Sequence, residues 1–137
     1  MAAISCTLLV DDDETTNFLN QILLRRMAVT DTILVAQDGR PALEVLHTHC
    51  AAGASPTCPA LILLDMKMPG MNGVEFLQAY TQRPAEQNPA VVIIMLTTSL
   101  NPQDVVKMQG LPIAGYLTKP LTREKVTTLI QEHFPQT

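Results

Sequence analysis

The alternation of two hydrophobic patterns is the feature that most restricts the fold of this chain. Five short apolar runs have the character of buried strands, and they cover Ile4–Val10, Thr32–Ala36, Ala60–Leu64, Val91–Leu96 and Gly115–Thr118. Each run is followed by apolar residues at helical spacing, over Thr15–Met27, Pro41–His49, Gly73–Gln82, a fourth helix from Asn101-Pro102 to about Gly110, and a last helix that Thr122 caps.

This alternation predicts an α/β fold, because strands that alternate with helices form right-handed βαβ units. The expected fold is a doubly wound, five-stranded parallel sheet of (βα)5 type with helices on both faces. The first, third and fourth runs are apolar throughout, as central strands covered on both faces should be. The length of 137 residues suits one domain, and we expect residues 1–137 to form it.

The composition restricts the classes of function that this chain can have. The net charge of −4 and the absence of a run of Lys and Arg give no footprint for direct binding of nucleic acid or an anionic membrane. The N-terminal segment lacks the pattern of a signal peptide, and no apolar run approaches the roughly 20 residues that span a bilayer. We therefore expect a cytoplasmic protein.

The cysteines do not form a recognisable framework. The chain has an odd number of cysteines, Cys6, Cys50 and Cys58, and they do not have CxxC spacing. We therefore expect reduced, structural thiols. His47 and His49 lie close to two of them in the sequence, but residues two apart face different sides of a helix, which argues against a metal site there.

Polar residues whose side chains can bind ligands or react follow the predicted strands. In a parallel sheet the ligand site lies outside the carboxyl ends of the strands, and those ends carry Asp11 and Asp12, Asp65, Thr97, and Lys119. Three carboxylates close together repel one another unless a cation relieves them. Mg²⁺ suits such a set of oxygen ligands, and Mn²⁺ could substitute.

A site of this kind can accept a phosphoryl group on Asp65. One divalent cation and the Lys119 ammonium neutralise the three carboxylates, which leaves Asp65 able to attack in line. The resulting phosphate could receive hydrogen bonds from Lys119 and the Thr97 hydroxyl.

The residues at the strand ends belong to four longer motifs. LLVDDDE, LILLDMKMPGMNG, IIMLTTS and GYLTKP occur in this order, and with them the chain resembles the receiver domain of two-component response regulators over essentially its whole length. The resemblance implies the flavodoxin-like strand order 2-1-3-4-5. It implies roles for six residues: Asp65 as phosphoacceptor, Asp12 as a direct Mg²⁺ ligand, Asp11 as a ligand through water, the Lys67 backbone carbonyl as another ligand, Thr97 as the switch hydroxyl and Lys119 as the phosphate-pairing ammonium.

Further details follow from the same resemblance. Tyr116 corresponds to the aromatic residue that swings inward when the threonine moves, and Pro69 and Gly73 match the turn after the acceptor. The Lys119-Pro120 peptide bond is commonly cis in this family. Asp13 and Glu14, by contrast, fall where a helix begins, and we expect them to cap it and to favour its dipole.

The implied function is signal transfer by phosphorelay. A sensor histidine kinase or histidine phosphotransfer protein would phosphorylate Asp65, and the face formed by the fourth helix, fifth strand and fifth helix would then bind an unknown downstream protein. Such a domain catalyses its own phosphorylation and dephosphorylation without turning over another substrate. Because the sequence stops just after the last helix, we expect a stand-alone, chemotaxis-type receiver. Two alternatives stay open: a receiver-like adaptor that signals without phosphorylation, and the receiver of a larger DNA-binding or output-enzyme regulator.

Two other classes share parts of the pattern. A Mg²⁺-dependent phosphohydrolase with an aspartate nucleophile usually has an acid two residues after it, where this chain has Lys67. A flavodoxin-like electron carrier needs a phosphate-binding loop after the first strand and aromatic residues around the flavin, and this chain has four acids there and no Trp. We also expect the Lys67 ammonium to lie near the phosphate and to change the lifetime of the acyl phosphate, because the resemblance implies that this position and Ser99 border the path of the hydrolytic water.

Overall fold

Strands and helices alternate through the whole molecule. The computed structural model describes residues 2–50, 57–83, 90–98 and 102–135. The elements are β1 (Ile4–Val10), α1 (Glu14–Met27), β2 (Thr30–Ala36), α2 (Gly39–Cys50), β3 (Leu61–Asp65), α3 (Gly73–Thr81), β4 (Val92–Thr97), α4 (Pro102–Met108), β5 (Gly115–Thr118) and α5 (Arg123–His133).

All ten predicted elements are present, and most boundaries agree closely with the hydrophobic patterns. The largest differences are two residues at the starts of β2 and α2 and at the end of α4. The predicted cap at Asn101 lies outside the described residues.

The five strands form one parallel sheet in the order β2-β1-β3-β4-β5, which confirms the predicted topology. The register pairs Val10 with Leu64 and Thr97 with Thr118. Since all the strands run in the same direction, their carboxyl ends reach the same edge of the sheet.

The core consists of two apolar layers, one on each face of the sheet. Successive side chains of a strand point to opposite faces, so Ile62 and Leu64 pack in the layer that α2 and α3 cover, whereas Leu61 and Leu63 pack in the layer beneath α1 and α5. This double burial explains why β3 reads as a continuous apolar run.

Side-chain caps fix where three helices begin. The carboxylate of Asp13 accepts hydrogen bonds from the backbone amides of Thr15 (2.9 Å) and Thr16 (3.4 Å), and the bond from Thr16 is the main reason that the pKa of Asp13 is lowered. The predicted cap at Thr122 is also present, since its hydroxyl accepts from the Lys125 amide at 3.2 Å. Asn72 forms a capping box at the start of α3, so the direction of the chain is set locally after β1, β3 and β5.

The prediction of three reduced thiols is wrong for two of them. Cys50, at the end of α2, and Cys58, before β3, form a disulfide across a Cα–Cα distance of 4.9 Å. The sequence conceals this pair because the fold, and not a short spacing motif, brings the end of α2 beside the approach to β3. Cys6 is a free, buried thiol, and burial raises its pKa to about 11.

None of the helices in the described part of the chain combines the length and the apolar character needed to cross a membrane.

Candidate functional site

A polar cavity lies at the carboxyl edge of the sheet. It has a volume of about 260 Å³, and it contains the carboxylates, hydroxyl and ammonium that the sequence places at the strand ends. Its lining consists of Asp11, Asp12, Asp13, Asp65, Lys67, Thr97, Thr98 and Lys119. The geometry therefore brings together the predicted carboxylates, Lys67, Thr97 and Lys119, whereas Tyr116 does not line the cavity.

Lys119 forms the centre of the ionic contacts in this cavity. Its Nζ donates to Asp11 Oδ2 at 2.7 Å and lies 3.3 Å from Asp65 Oδ1. Burial acts to lower the pKa of Lys119, but the hydrogen bond to Asp11 and the charge of Asp65 outweigh it, and the net direction is upward. The ammonium is therefore held charged between two carboxylates.

Asp65 is a carboxyl group whose charge is poorly compensated. Only 5% of the residue is exposed, and burial followed by repulsion from Asp11 raises its pKa to about 6, although Lys119 acts in the opposite direction. The backbone amide of Lys67 also donates to Asp65 Oδ1, at 3.3 Å. The single Lys119 ammonium is thus not enough to keep the pKa of Asp65 in its usual range, and a further cation would favour the charged form.

The carboxylates are suitably placed to bind such a cation. One oxygen each from Asp11, Asp12 and Asp65 lies within 4.8 Å of the others. Oxygen donors at this spacing fit a hard divalent ion that retains several waters, as Mg²⁺ does. The peptide of Lys67 borders the same cavity. The residues present therefore fit a magnesium site.

The loop after β1 is fixed by contacts that hydrophobic patterns do not reveal. Asn17, which is 2% exposed, donates from Nδ2 to the backbone oxygen of Asp11 at 2.9 Å. The Asp13 amide donates to Asp11 Oδ1 at 2.9 Å. The signal in the sequence is a polar residue on the inward side of α1, which hydrophobic periodicity does not distinguish from other polar residues of the helix.

The loop after β3 is held by Asp38, a second residue that was not assigned a site role. Asp38 Oδ1 accepts from the amides of Gly39 at 2.6 Å and Met71 at 2.7 Å. A Cβ added to Gly70 would clash with Asp38 Oδ2, and one added to Gly73 would meet the Asp65 backbone oxygen at 2.8 Å. The loop therefore passes so close to the end of β3 that glycine is required at Gly73, whereas a side chain at Gly70 would displace the Asp38 carboxylate.

The remaining predicted site residues occupy different environments. Thr97 is only 1% exposed, whereas Tyr116 on β5 is 44% exposed and does not line the cavity. The Lys119-Pro120 peptide bond is cis, as the resemblance implies. Ser99 lies outside the described residues, and Lys67 is exposed at the rim of the cavity.

Comparison with known proteins identifies the class of protein that has this fold and site. The family model of the response regulator receiver domain matches residues 7–131. A crystal structure of a two-component response regulator from Cytophaga hutchinsonii superposes with a TM-score of 0.82 at 30% identity, covering 96% of this chain and 97% of that one.

Curated relatives agree with this result. The response regulator Rcp1 of Synechocystis is 31% identical over 90% of this chain and 82% of its own length. The chemotaxis protein CheY of Pseudomonas aeruginosa is 28% identical over 93% of this chain and 94% of its own length. The chain belongs to the receiver domain family of two-component response regulators. Domains of this family bind Mg²⁺ at an acidic pocket, accept a phosphoryl group from histidine kinases and act on downstream targets without independent substrate turnover.

Proposed function

We propose that this protein is a phosphorelay receiver that takes a phosphoryl group onto Asp65 from a sensor histidine kinase or a histidine phosphotransfer protein. The observation that carries the proposal is the placement of Lys119 Nζ between Asp11 and Asp65, 2.7 and 3.3 Å from their oxygens, in a cavity that three carboxylates line. This arrangement concentrates a nucleophile, ligands for a cation and a phosphate-binding ammonium at one point.

Asp65 is the nucleophile in this proposal. Its carboxylate oxygen attacks the phosphorus, the P–N bond to the donor histidine breaks, and the phosphoryl group is retained as an aspartyl phosphate. Bound Mg²⁺, held by Asp11, Asp12, Asp65 and the Lys67 backbone carbonyl, would supply positive charge for the transferring oxygens. Lys119 donates to the phosphate and replaces part of the hydration that the oxygens lose.

Phosphorylation then changes the population of two surface conformations. The Thr97 hydroxyl moves to the new phosphate and leaves space that Tyr116, now 44% exposed on β5, can enter. A shift from 1:99 to 99:1 requires about 5.5 kcal/mol, which a few charge-assisted hydrogen bonds of about 1.5 to 3 kcal/mol each could provide. The face of α4, β5 and α5 would then present a different surface to a downstream protein.

The domain assignment and the cellular setting form part of the same proposal. Residues 1–137 act as a single receiver domain in the cytoplasm, where the kinase or phosphotransfer protein presents phosphohistidine. The output is a protein contact, without direct binding to nucleic acid or membrane. Apart from its own phosphorylation and dephosphorylation, the domain turns over no substrate.

Incubation with phosphoramidate and Mg²⁺, followed by intact-mass spectrometry, tests this proposal. We expect one phosphoryl group on the wild-type protein, its loss when Mg²⁺ is chelated, and none on Asp65→Asn. Asp31→Asn is the matched control and should be labelled normally, because Asp31 is exposed on β2 and does not line the cavity. Absence of added mass on the wild type would refute the proposal and favour a receiver-like adaptor that signals without phosphorylation. Mass that persists on Asp65→Asn would refute the assignment of Asp65 as the phosphoacceptor.

A further inference from the structure

The segment that presents Lys119 is held by a second lysine. Lys125 lies in the first turn of α5, and its Nζ donates to the Thr118 backbone oxygen at 2.6 Å and to the Pro120 backbone oxygen at 3.0 Å. The Thr118 hydroxyl oxygen is a third partner, at 3.4 Å. One ammonium therefore binds the carbonyl groups on both sides of Lys119.

Other contacts of Lys119 make this clamp effective. The Lys119 backbone amide donates to the Thr97 oxygen at 2.7 Å, so the main chain is fixed to β4 at the same residue that Lys125 brackets from α5. The Lys125 backbone amide in turn donates to the Thr122 hydroxyl at 3.2 Å. The loop from β5 to α5 is thus tied to both β4 and α5. The main chain from which the Lys119 side chain extends therefore has little freedom to move.

We propose that Lys125 is a positioning residue for phosphoryl transfer, which fixes the main chain on both sides of Lys119 so that the Lys119 ammonium is aimed at Asp11 and Asp65. The inference rests on the proposed function, since it assigns Lys125 a role in that reaction. Lys125 does not line the cavity, and it acts on the phosphoryl group only through Lys119.

The expected size of the effect follows from geometry. Misplacement of a catalytic group by about 1 Å can cost on the order of a hundredfold in rate, and Lys119 keeps one main-chain anchor to Thr97 without Lys125. We therefore expect Lys125→Met to lower the rate constant for phosphorylation by phosphoramidate by about tenfold. The Mg²⁺ dissociation constant, measured by calorimetry, should be unchanged, because the carboxylates remain in place.

Two comparisons separate positioning from loss of charge or general damage. Arg123→Met removes one positive charge from the same helical turn at an exposed position, and it should leave the phosphorylation rate unchanged. In a Lys119→Met background, Lys125→Met should cause no further loss, because two residues that act through one ammonium are not additive. Lys125→Gln, whose shorter neutral side chain lacks the charge-assisted bonds, repeats the test if Lys125→Met does not fold.

Hydrogen exchange gives a readout that needs no phosphoryl group. In Lys125→Met the Lys119 amide should exchange faster than in wild type, whereas amides of β1 should be unaffected. Equal exchange, an unchanged phosphorylation rate, or additive losses in the double variant would overturn the proposal. If the wild-type protein accepted no phosphoryl group, the proposed function would fail, and the exchange of the Lys119 amide would still decide whether Lys125 holds the loop.

Discussion

The buried charge of Asp65 predicts that replacing this residue makes the unliganded protein more stable. The pKa of Asp65 is raised from 3.8 to about 6 in the folded protein, so the folded state binds a proton more tightly than the unfolded chain. The favourable contribution is complete below pH 3.8, and it is lost as the pH rises through about 6. Asp65→Asn removes this dependence because its amide stays neutral.

The magnitude follows from the same values. One pKa unit corresponds to about 1.4 kcal/mol, so the interval between 3.8 and about 6 amounts to roughly 3 kcal/mol. The free energy of unfolding of Asp65→Asn should therefore match that of wild type at about pH 3.5 and exceed it by on the order of 2 to 3 kcal/mol at about pH 8. The difference should develop between these two pKa values and then remain constant.

Urea unfolding followed by far-UV circular dichroism measures this difference, since the chain has no Trp for fluorescence. Asp31→Asn is the control for a carboxylate that lies outside the cavity. Addition of Mg²⁺ should stabilise wild type by about 2.7 kcal/mol at a hundred times its dissociation constant, and it should stabilise Asp65→Asn much less. A gain in stability that is equal at both pH values, or no gain at about pH 8, would show that the charge of Asp65 does not destabilise the folded protein in this cavity.

Three further predictions concern other parts of the molecule. Lys67→Ala should shorten the half-life of the aspartyl phosphate, because the ammonium at the cavity rim no longer screens it from water; Lys67→Arg should behave like wild type, and equal half-lives for wild type and Lys67→Ala would contradict the idea. Asn72→Ala should lower the free energy of unfolding by about 1 kcal/mol, because the Glu75 amide loses the acceptor 2.8 Å away; Asn72→Asp should keep most of it, and an unaffected midpoint in urea for Asn72→Ala would count against the cap. Reduction of the Cys50–Cys58 disulfide, whose cysteines are 8 residues apart, should lower the free energy of unfolding by about 2 to 3 kcal/mol. The stability of Cys58→Ser should not respond to reductant. If reductant left the stability of wild type unchanged, the disulfide would make no contribution.

The fold was predictable because its determinants are local. A run such as Val92–Thr97 is apolar at nearly every position, and α1 has apolar side chains at helical spacing, so each segment specifies its own conformation. The apolar stripe of α1 does not mark its buried face, because Phe18 and Leu19 are exposed whereas Asn17 is buried. The order of these segments then leaves few topologies, since parallel strands need right-handed crossovers. The caps at Asp13 and Thr122 were predictable for the same reason, because a cap acts within one helical turn.

Most residues that line the cavity were predictable because the sheet converts sequence position into spatial position. Asp11 and Asp65 each stand at or just after the end of a central strand, and parallel strands end at one edge. The resemblance to receiver domains gave these residues their expected roles. Their placement in one cavity follows from the fold.

The sequence alone thus determined the alternating elements, the sheet and the edge at which the polar residues meet. The tertiary structure decided which groups in separate elements and loops contact each other: the Cys50–Cys58 disulfide, the anchoring of Met71 by Asp38, and the clamp of Lys125 around Lys119. The physical reason is the range of the interactions. Secondary structure responds to neighbours a few residues away, whereas hydrogen bonds and disulfides depend on distances of a few ångströms between side chains and loops that only the packed chain brings together.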